Sequence, residues 1–473
     1  MAQLPLVEEL PKGFRAEDAF ARMARLPHCL FLDSAVADPL LGRYSFLAAD
    51  PFEYIELEAD GGEALALLAE RIDGCHISTV DDLPPFQGGA AGIFGYELGR
   101  SLERLPRPAF DEFQFPAVAI GLYDVVIAID HVDNRAWIIS QGLPESDIVR
   151  RKIRAERRLK QARSWLNEDE KGDEKGDSPR FRLPPIPVEQ LAPRFPVPGP
   201  EGLVSDFSAE GYLRAVGRAI EYIHAGDIFQ VNLSQRLLFP ADGDSPSLYL
   251  RLRRCNPAPF AGYFDLGDFQ VVSASPERFL QVSDDEVETR PIKGTRQRTD
   301  CPETDRQLER DLKQSEKDTA ENVMIVDLLR NDLSRVCRPE SVTVSQLCEV
   351  EHYQHVLHLV SAVRGRLRAE CSPLDLIRAS FPGGSITGAP KVRAMEIITE
   401  LEPTARGAYC GSLGYVGFDG AMDLSILIRT ITAGRGWLQA PVGGGIVAQS
   451  DPQAEYEETW HKAEGLLQTL RQR

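Results

Sequence analysis

The sequence predicts an α+β fold in which antiparallel sheets carry helices on one face. Two observations predict it: strand-like runs follow one another in succession, and long helical stretches are interspersed among them rather than alternating with single strands. At 473 residues the chain is long enough for two or three domains. The reading divides it into an amino-terminal lobe (1–166), a Pro- and charge-rich linker (167–206) and a second domain (207–473).

In the first lobe, "YIELEAD", "AAGIFGYE", "VVIAIDH" and "AWIISQG" read as strands, and "GGEALALLAERI" and "DIVRRKIRAERRLKQARSWL" as helices. An imperfect charged repeat and a dense proline run then fill 167–200, which reads as a flexible or extended, solvated connector. Beyond 207, "SAEGYLRAVGRAIEYIHAG" has helical spacing, a Ser at its start and Gly226 at its end. "FQVNLSQRLLF" alternates as a strand. "FQVVSASPERFLQVSDDEVETRPIKGTRQR" reads strand–turn–strand–turn, and "DRQLERDLKQSEKDTAENVMIVDLLRNDLSRV" as one or two helices. "HVLHLVSAVRGRL" is a further strand. In "GAPKVRAMEIITELE" Pro390 sits in the first helical turn, where its missing N–H costs nothing. "AYCGSLGYVGF", "MDLSILIRTITAG" and "WLQAPVGGGIVA" read as three strands, before a terminal helix from "DPQAEYEETWHKAEGLLQTLRQR".

Composition narrows the function. Hydrophobic residues at 43% and charged residues at 26% suit a soluble globular protein. The net charge of -19 (53 basic against 72 acidic residues) repels nucleic acid and anionic membrane, so positive charge for a small anionic substrate must be local. The eight cysteines are scattered without a CxxC pair and read as reduced thiols. The N-terminus lacks a signal-peptide pattern, and the longest apolar stretch, "VAIGLYDVVIAI" (118–129), is too short to span a bilayer. A cytoplasmic location with no membrane contact is expected.

Four features carry possible chemistry. Asp318 with Glu321, and Glu455 with Glu458, are carboxylate pairs three apart on helices, suited to a hard divalent cation although more often solvated faces. "FPGGSITGAPK" (381–391) runs glycines into a helix start, where backbone N–H groups favour an anion; "VGGGI" (442–446) lets a ligand approach the backbone or marks a bulge. His352, His355 and His358 are three apart, a spacing that converges on neither a strand nor a helix, so zinc is rejected. Finally Glu277, Lys293 and Arg429 are single charges inside apolar strands, costly unless paired or used. Only 10 residues of the chain are Lys, which makes the one in "RPIKGTR" conspicuous.

The segments "GDIFQVNLSQR", "SPERF", "RPIKGTR", "EKDTAENVMIVDLLRNDLSRV", "HLVSAVRG", "FPGGSITGAPKVRAMEIITELEP", "YCGSLGY" and "GGGIVAQSDPQAEYEETWHKAE", in that order, resemble the chorismate-utilising enzymes. "FLDSA" and "GRYSFLAADP" extend the likeness more loosely to the amine-adding members. The resemblance implies a two-sheet sandwich flanked by helices, with the active site in the C-terminal half. It implies Mg²⁺ on Glu321 and Glu458, supported by Asp318 and Glu455. By the same resemblance Arg429 and Tyr409 are expected to grip the enolpyruvyl carboxylate, and Ser385, Gly443, Gly444 and Lys462 to serve substrate carboxylates. Thr295 and His358 are expected, on the same resemblance, to line the pocket. Gln230 stands where water-adding members typically carry a lysine, and Lys293 where the anthranilate-forming members read "PIAGT". The expected reaction is therefore amination of chorismate at C4, with Lys293 as covalent nucleophile and Glu277 as acid. The ammonia is expected from a separate glutamine amidotransferase subunit, since no thiol here sits in a "G-x-C-x-G" turn. An anthranilate-forming enzyme is the rival, and a non-catalytic chorismate-binding regulatory subunit the rival of another class. "FLDSA" also resembles the region where relatives hold tryptophan, although "LLES" in feedback-regulated relatives differs from "FLDS" here.

Overall fold

The computed structural model describes residues 4–36, 41–59, 63–167, 183–299, 301–353 and 356–471. Their strands form two antiparallel sheets, one of thirteen strands and one of ten, flanked by helices. Apolar side chains of both sheets, among them Leu30, Phe46, Val126, Phe264, Ile93 and Tyr415, make the layer between them. The outer face of the larger sheet is covered by helices Ala16–Met23, Ile148–Leu166, Ser245–Cys255 and Pro452–Arg471. That of the smaller is covered by Ala64–Asp73, Glu316–Ser334 and Pro373–Ser380. This is the expected sandwich.

Both sheets mix strands from before residue 166 and after residue 207. In the larger, Leu30–Asp33 pairs with Phe260–Asp265; in the smaller, Gly89–Phe94 pairs with Ser412–Gly417. The proline-rich stretch 183–206 is not a solvated connector. Ile186, Leu191, Ala192 and Leu203 are buried, Trp437 donates its indole N–H to the Ile186 carbonyl (3.0 Å), and Phe195–Pro196 and Val204–Ser205 extend the edge of the larger sheet. Apolar residues set between prolines supply enough burial to order a chain whose composition suggests a coil. The charged repeat at 168–182 lies outside the described residues.

Local signals hold at the helix ends. Helix Ala209–Ala225 is capped by Ser208, whose hydroxyl accepts from the Gly211 N–H (3.0 Å), and stops at Gly226 with φ +83°. The long acidic stretch is two helices, Pro302–Lys313 and Glu316–Ser334, the second capped by Ser315. Pro390 proves to be the N-cap of helix Lys391–Leu401 rather than a first-turn residue. "MDLSILIRTITAG" is not one strand. It is Met422–Ile426 in the smaller sheet and Thr430–Gly434 in the larger, with the chain crossing between sheets at Leu427–Arg429.

Candidate active site

Two neighbouring segments cross between the sheets, and each crossing carries a charge. Glu277 lies between Phe269–Ser275 of the larger sheet and Arg278–Ser283 of the smaller; Arg429 lies on the return path just described. Neither is within a strand, as the apolar flanks had suggested. The crossings are tied by Ile426 N–H to Glu277 O (3.0 Å) and Ala274 N–H to Arg429 O (3.1 Å). Arg429 has φ +54°, a conformation that costs a non-glycine residue about 1 kcal/mol or more and is held here by the ladder on both sides.

Lys293 lies on the strand Ile292–Gln297, whose register against Val356–Arg366 slips at Gly294. Gly294 has φ +66°, and a Cβ there would stand 2.8 Å from Leu312 and 2.9 Å from Asp318 Cγ. Glycine thus lets helix Glu316–Ser334 approach the strand next to the lysine. The Lys293 amine donates to the Ser385 carbonyl (2.9 Å), and the Ser385 hydroxyl donates to Glu277 Oε1 (2.8 Å), so one residue of the glycine loop holds both groups. Burial lowers the Lys293 amine's pKa, against the upward pull of Glu321 and Glu277. Burial raises the Glu277 carboxyl, with Lys293 and the Ser385 hydroxyl pulling back. These are the directions a neutral amine and a protonated acid require.

Across from this pair, helix Pro452–Arg471 presents Glu455, Glu458 and Lys462. The Lys462 ammonium binds Glu458 Oε1 (2.6 Å) and the Gly443 carbonyl (3.0 Å). A Cβ on Gly444 would stand 3.4 Å from Glu455 Oε2, 3.4 Å from Lys462 Nζ and 3.5 Å from Glu458 Oε1, so the bare glycine leaves a small cradle lined by two acids and a lysine. Burial works to raise the Glu458 carboxyl, and Lys462, Lys317 and Lys293 together outweigh it, leaving it below its ordinary value. Glu321, half-buried on the facing helix, is raised by burial. Glu455 accepts from the Ser450 hydroxyl (2.6 Å), and Asp318 pairs with Arg296 (3.1 Å). Arg429 donates to the Lys462 carbonyl.

The remaining expected residues surround this group. His358 shares a 2.8 Å hydrogen bond with the exposed Thr295 hydroxyl, and burial lowers its pKa to about 4, so the ring is neutral at physiological pH. His352 sits on a different strand beside Glu309 (3.3 Å), and His355 lies outside the described residues. Tyr409 is buried, 5.7 Å from the Arg406 guanidinium. The Gln230 side chain lies against Gly445.

Two contributors are absent from the sequence reading. Arg406, ion-paired with Glu402 (2.6 Å), donates to the carbonyls of Ile386 (3.1 Å) and Asn232 (2.7 Å), fixing the glycine loop to the strand Gln230–Pro240. Lys317 reaches Glu455 (3.6 Å). Both carry a signal: Glu402 and Arg406, like Lys317 and Glu321, are four apart on or near a helix.

A cavity of about 280 Å³ lies elsewhere, beside Asp33, Ser34, Arg43, Arg278 and Asp423. This is where "FLDSA" falls. The Asp33 carboxylate is already engaged by the Tyr249 hydroxyl (2.7 Å), Arg253 Nε (2.6 Å) and the Ser45 hydroxyl (3.2 Å).

Residues 37–468 match the family described as chorismate binding enzymes. The chain belongs to that family. It is 40% identical to aminodeoxychorismate synthase component 1 of Salmonella typhimurium, over 98% of each chain. It is 44% identical to anthranilate synthase component 1 of Thermus thermophilus, over 82% of this chain and 79% of that one. The crystal structure of anthranilate synthase component I from Streptococcus pneumoniae matches with a TM-score of 0.73 at 31% identity, covering 91% of this chain and 94% of that one. The menaquinone-specific isochorismate synthase of Escherichia coli shares the fold (TM-score 0.70, 18% identity, 100% and 96% covered). Among the described residues no helix is long and apolar enough to cross a membrane.

Proposed function

We propose that this chain acts as an aminodeoxychorismate synthase component I, converting chorismate and ammonia into 4-amino-4-deoxychorismate, a precursor of p-aminobenzoate and folate. The observation that carries the reading is the Lys293–Ser385–Glu277 link, a depressed amine and an elevated acid held on one residue.

In the first step the Lys293 amine attacks C2 of the ring, both ring double bonds shift (C1=C2 to C1=C6, C5=C6 to C4=C5) and the C4–O bond breaks. The hydroxyl leaves as water with a proton from Glu277. In the second, ammonia attacks C4, both double bonds shift back, the lysine departs from C2 as its free amine, and the new C4 ammonium returns a proton to Glu277. Lysine suits the task because its amine can lose its proton, whereas a guanidinium stays charged. His358 remains neutral throughout and orients Thr295. Arg429, Tyr409 and the backbone around Ser385 and Gly443 receive the carboxylates of the substrate.

Glu321 and Glu458 would hold Mg²⁺. Among the described residues no three His, Cys, Asp or Glu side chains gather into a closed metal site, whereas Mg²⁺ commonly takes one or two carboxylates and fills its shell with water and substrate oxygens. The open cradle at Gly444, beside Glu458, supports this reading. When bound, the ion compensates charge on the ring carboxylate. We also propose a glutamine amidotransferase partner as ammonia source, and a cytoplasmic setting in keeping with eight free cysteines.

The second reading, anthranilate formation, is favoured by the 44% identity to the Thermus protein and opposed by Lys293. Incubation with chorismate, Mg²⁺ and ammonium, with product identification by mass and fluorescence, decides between them: 4-amino-4-deoxychorismate is expected, and direct release of anthranilate overturns the proposal.

A further inference from the structure

The two helices that face each other across the site are each acidic on the facing side, and each carries one lysine four residues from its glutamate: Lys317 before Glu321, Lys462 after Glu458. The two lysines are held differently. Lys462 is anchored twice, by Glu458 at 2.6 Å and the Gly443 carbonyl at 3.0 Å. Lys317 makes one longer ion pair, 3.6 Å, and makes it across the gap to Glu455 on the opposite helix. Its side chain is 48% exposed while that of Glu455 is 5% exposed, so the cation reaches in from solvent over a buried acid. The other Glu455 oxygen faces the Gly444 cradle together with Glu458. The charge of Lys317 acts on both Glu321 and Glu458.

We infer that Lys317 is an internal counter-ion of the metal site: it bridges the two acidic helices before the divalent cation binds, and it is displaced into solvent when that cation arrives. The inference rests on Glu321 and Glu458 holding Mg²⁺. Without a cation in the gap, Glu321, Glu455 and Glu458 repel one another across facing helices. A lysine on a long, half-exposed stem can fill that role and leave it at small cost, whereas the doubly anchored Lys462 stays to meet a substrate carboxylate. Lys317 therefore sets the affinity for the metal by competing with it.

The test uses the full-length protein without chorismate, titrated with Mg²⁺ by calorimetry. Lys317→Met removes the competing charge, and Mg²⁺ is expected to bind about tenfold tighter, a difference that shrinks at high salt as the exposed charge is screened. In EDTA the same variant is expected to melt several degrees below wild type, with the gap closing at saturating Mg²⁺. Lys317→Arg keeps the charge and is expected to bind Mg²⁺ as wild type does. Lys313→Met, at an exposed lysine paired with Glu309 outside the cluster, is expected to change nothing. Equal or weaker Mg²⁺ binding by Lys317→Met overturns the inference, as does an Arg variant that behaves like the Met one. Glu321→Gln and Glu458→Gln separate this from the metal assignment. If both bind Mg²⁺ as wild type does, the assignment itself is wrong. If both lose it while Lys317→Met is unchanged, only the role of Lys317 falls.

Discussion

Two charged clusters lie within the sandwich, and their bonding differs. Around Asp33, a tyrosine, an arginine and a serine all donate to one buried carboxylate. At the other, Glu277 receives a single side-chain donor, Ser385, and the Lys293 amine spends one N–H on a carbonyl. The first cluster is saturated and holds elements together. The second keeps donors and protons in reserve. On the proposed mechanism, unspent hydrogen-bonding capacity rather than burial separates a structural charge from a working one.

The contrast can be broken at several points. The largest effect is expected at Lys293 and Glu277. Lys293→Ala should abolish amination at C4, and Glu277→Gln should slow it by about 10²–10⁴-fold, the usual worth of a general acid. Both should leave the melting temperature unchanged or raised, since each removes a poorly solvated ionisable group; product assays and calorimetry on the same preparations check this. Arg253→Ala should do the reverse, leaving turnover per folded molecule intact while destabilising by about 3–5 kcal/mol, because Asp33 stays buried with its charge uncompensated. Denaturant midpoints measure it.

A third site sharpens the comparison by pH. Glu97 is buried and accepts from the N–H groups of Arg406 (3.1 Å) and Gly407 (3.0 Å); burial, then Asp111, raises its pKa to about 7. The folded state holds that proton above the unfolded value, so its contribution is complete below the unfolded pKa and is lost as pH rises through about 7. The stability of wild type relative to Glu97→Gln should therefore fall by about 1–3 kcal/mol between pH 4.5 and 8, read as the difference in melting temperature. The smallest effect is expected for Gly444→Ala. Its methyl meets only ordinary contacts with Glu455, Glu458 and Lys462, so stability should change by less than about 1 kcal/mol, while KM for chorismate rises as the cradle fills.

Much of this was legible in the chain itself, unevenly. Ser208 and Gly226 mark their helix because caps act through neighbouring atoms. The crossing at Leu427–Arg429 left no such mark: Leu427 and Ile428 are as apolar as the strands they join, the charge of Arg429 read as one inside a strand, and only the pairing of the flanks with different sheets separates them. The strand Thr343–His352 escaped notice because its alternation is weak, with Leu347 turned out to solvent. At the site, charge pattern alone favoured solvated faces for Glu321 and Glu458; the family motifs singled them out. Those motifs did not reveal the cross-helix reach of Lys317, which depends on how two helices distant in sequence face each other.

The interleaving of the sheets has a consequence for anyone who would cut the gene in two. A fragment beginning at residue 207 would keep every residue assigned to catalysis yet expose the open flanks of Phe260–Asp265 and Ser412–Gly417, stripped of their neighbours along two continuous ladders. Such raw edges recruit other chains. Chimeras that exchange the first third of the protein must therefore match both seams at once, because that third supplies five of the thirteen strands of one sheet and three of the ten strands of the other.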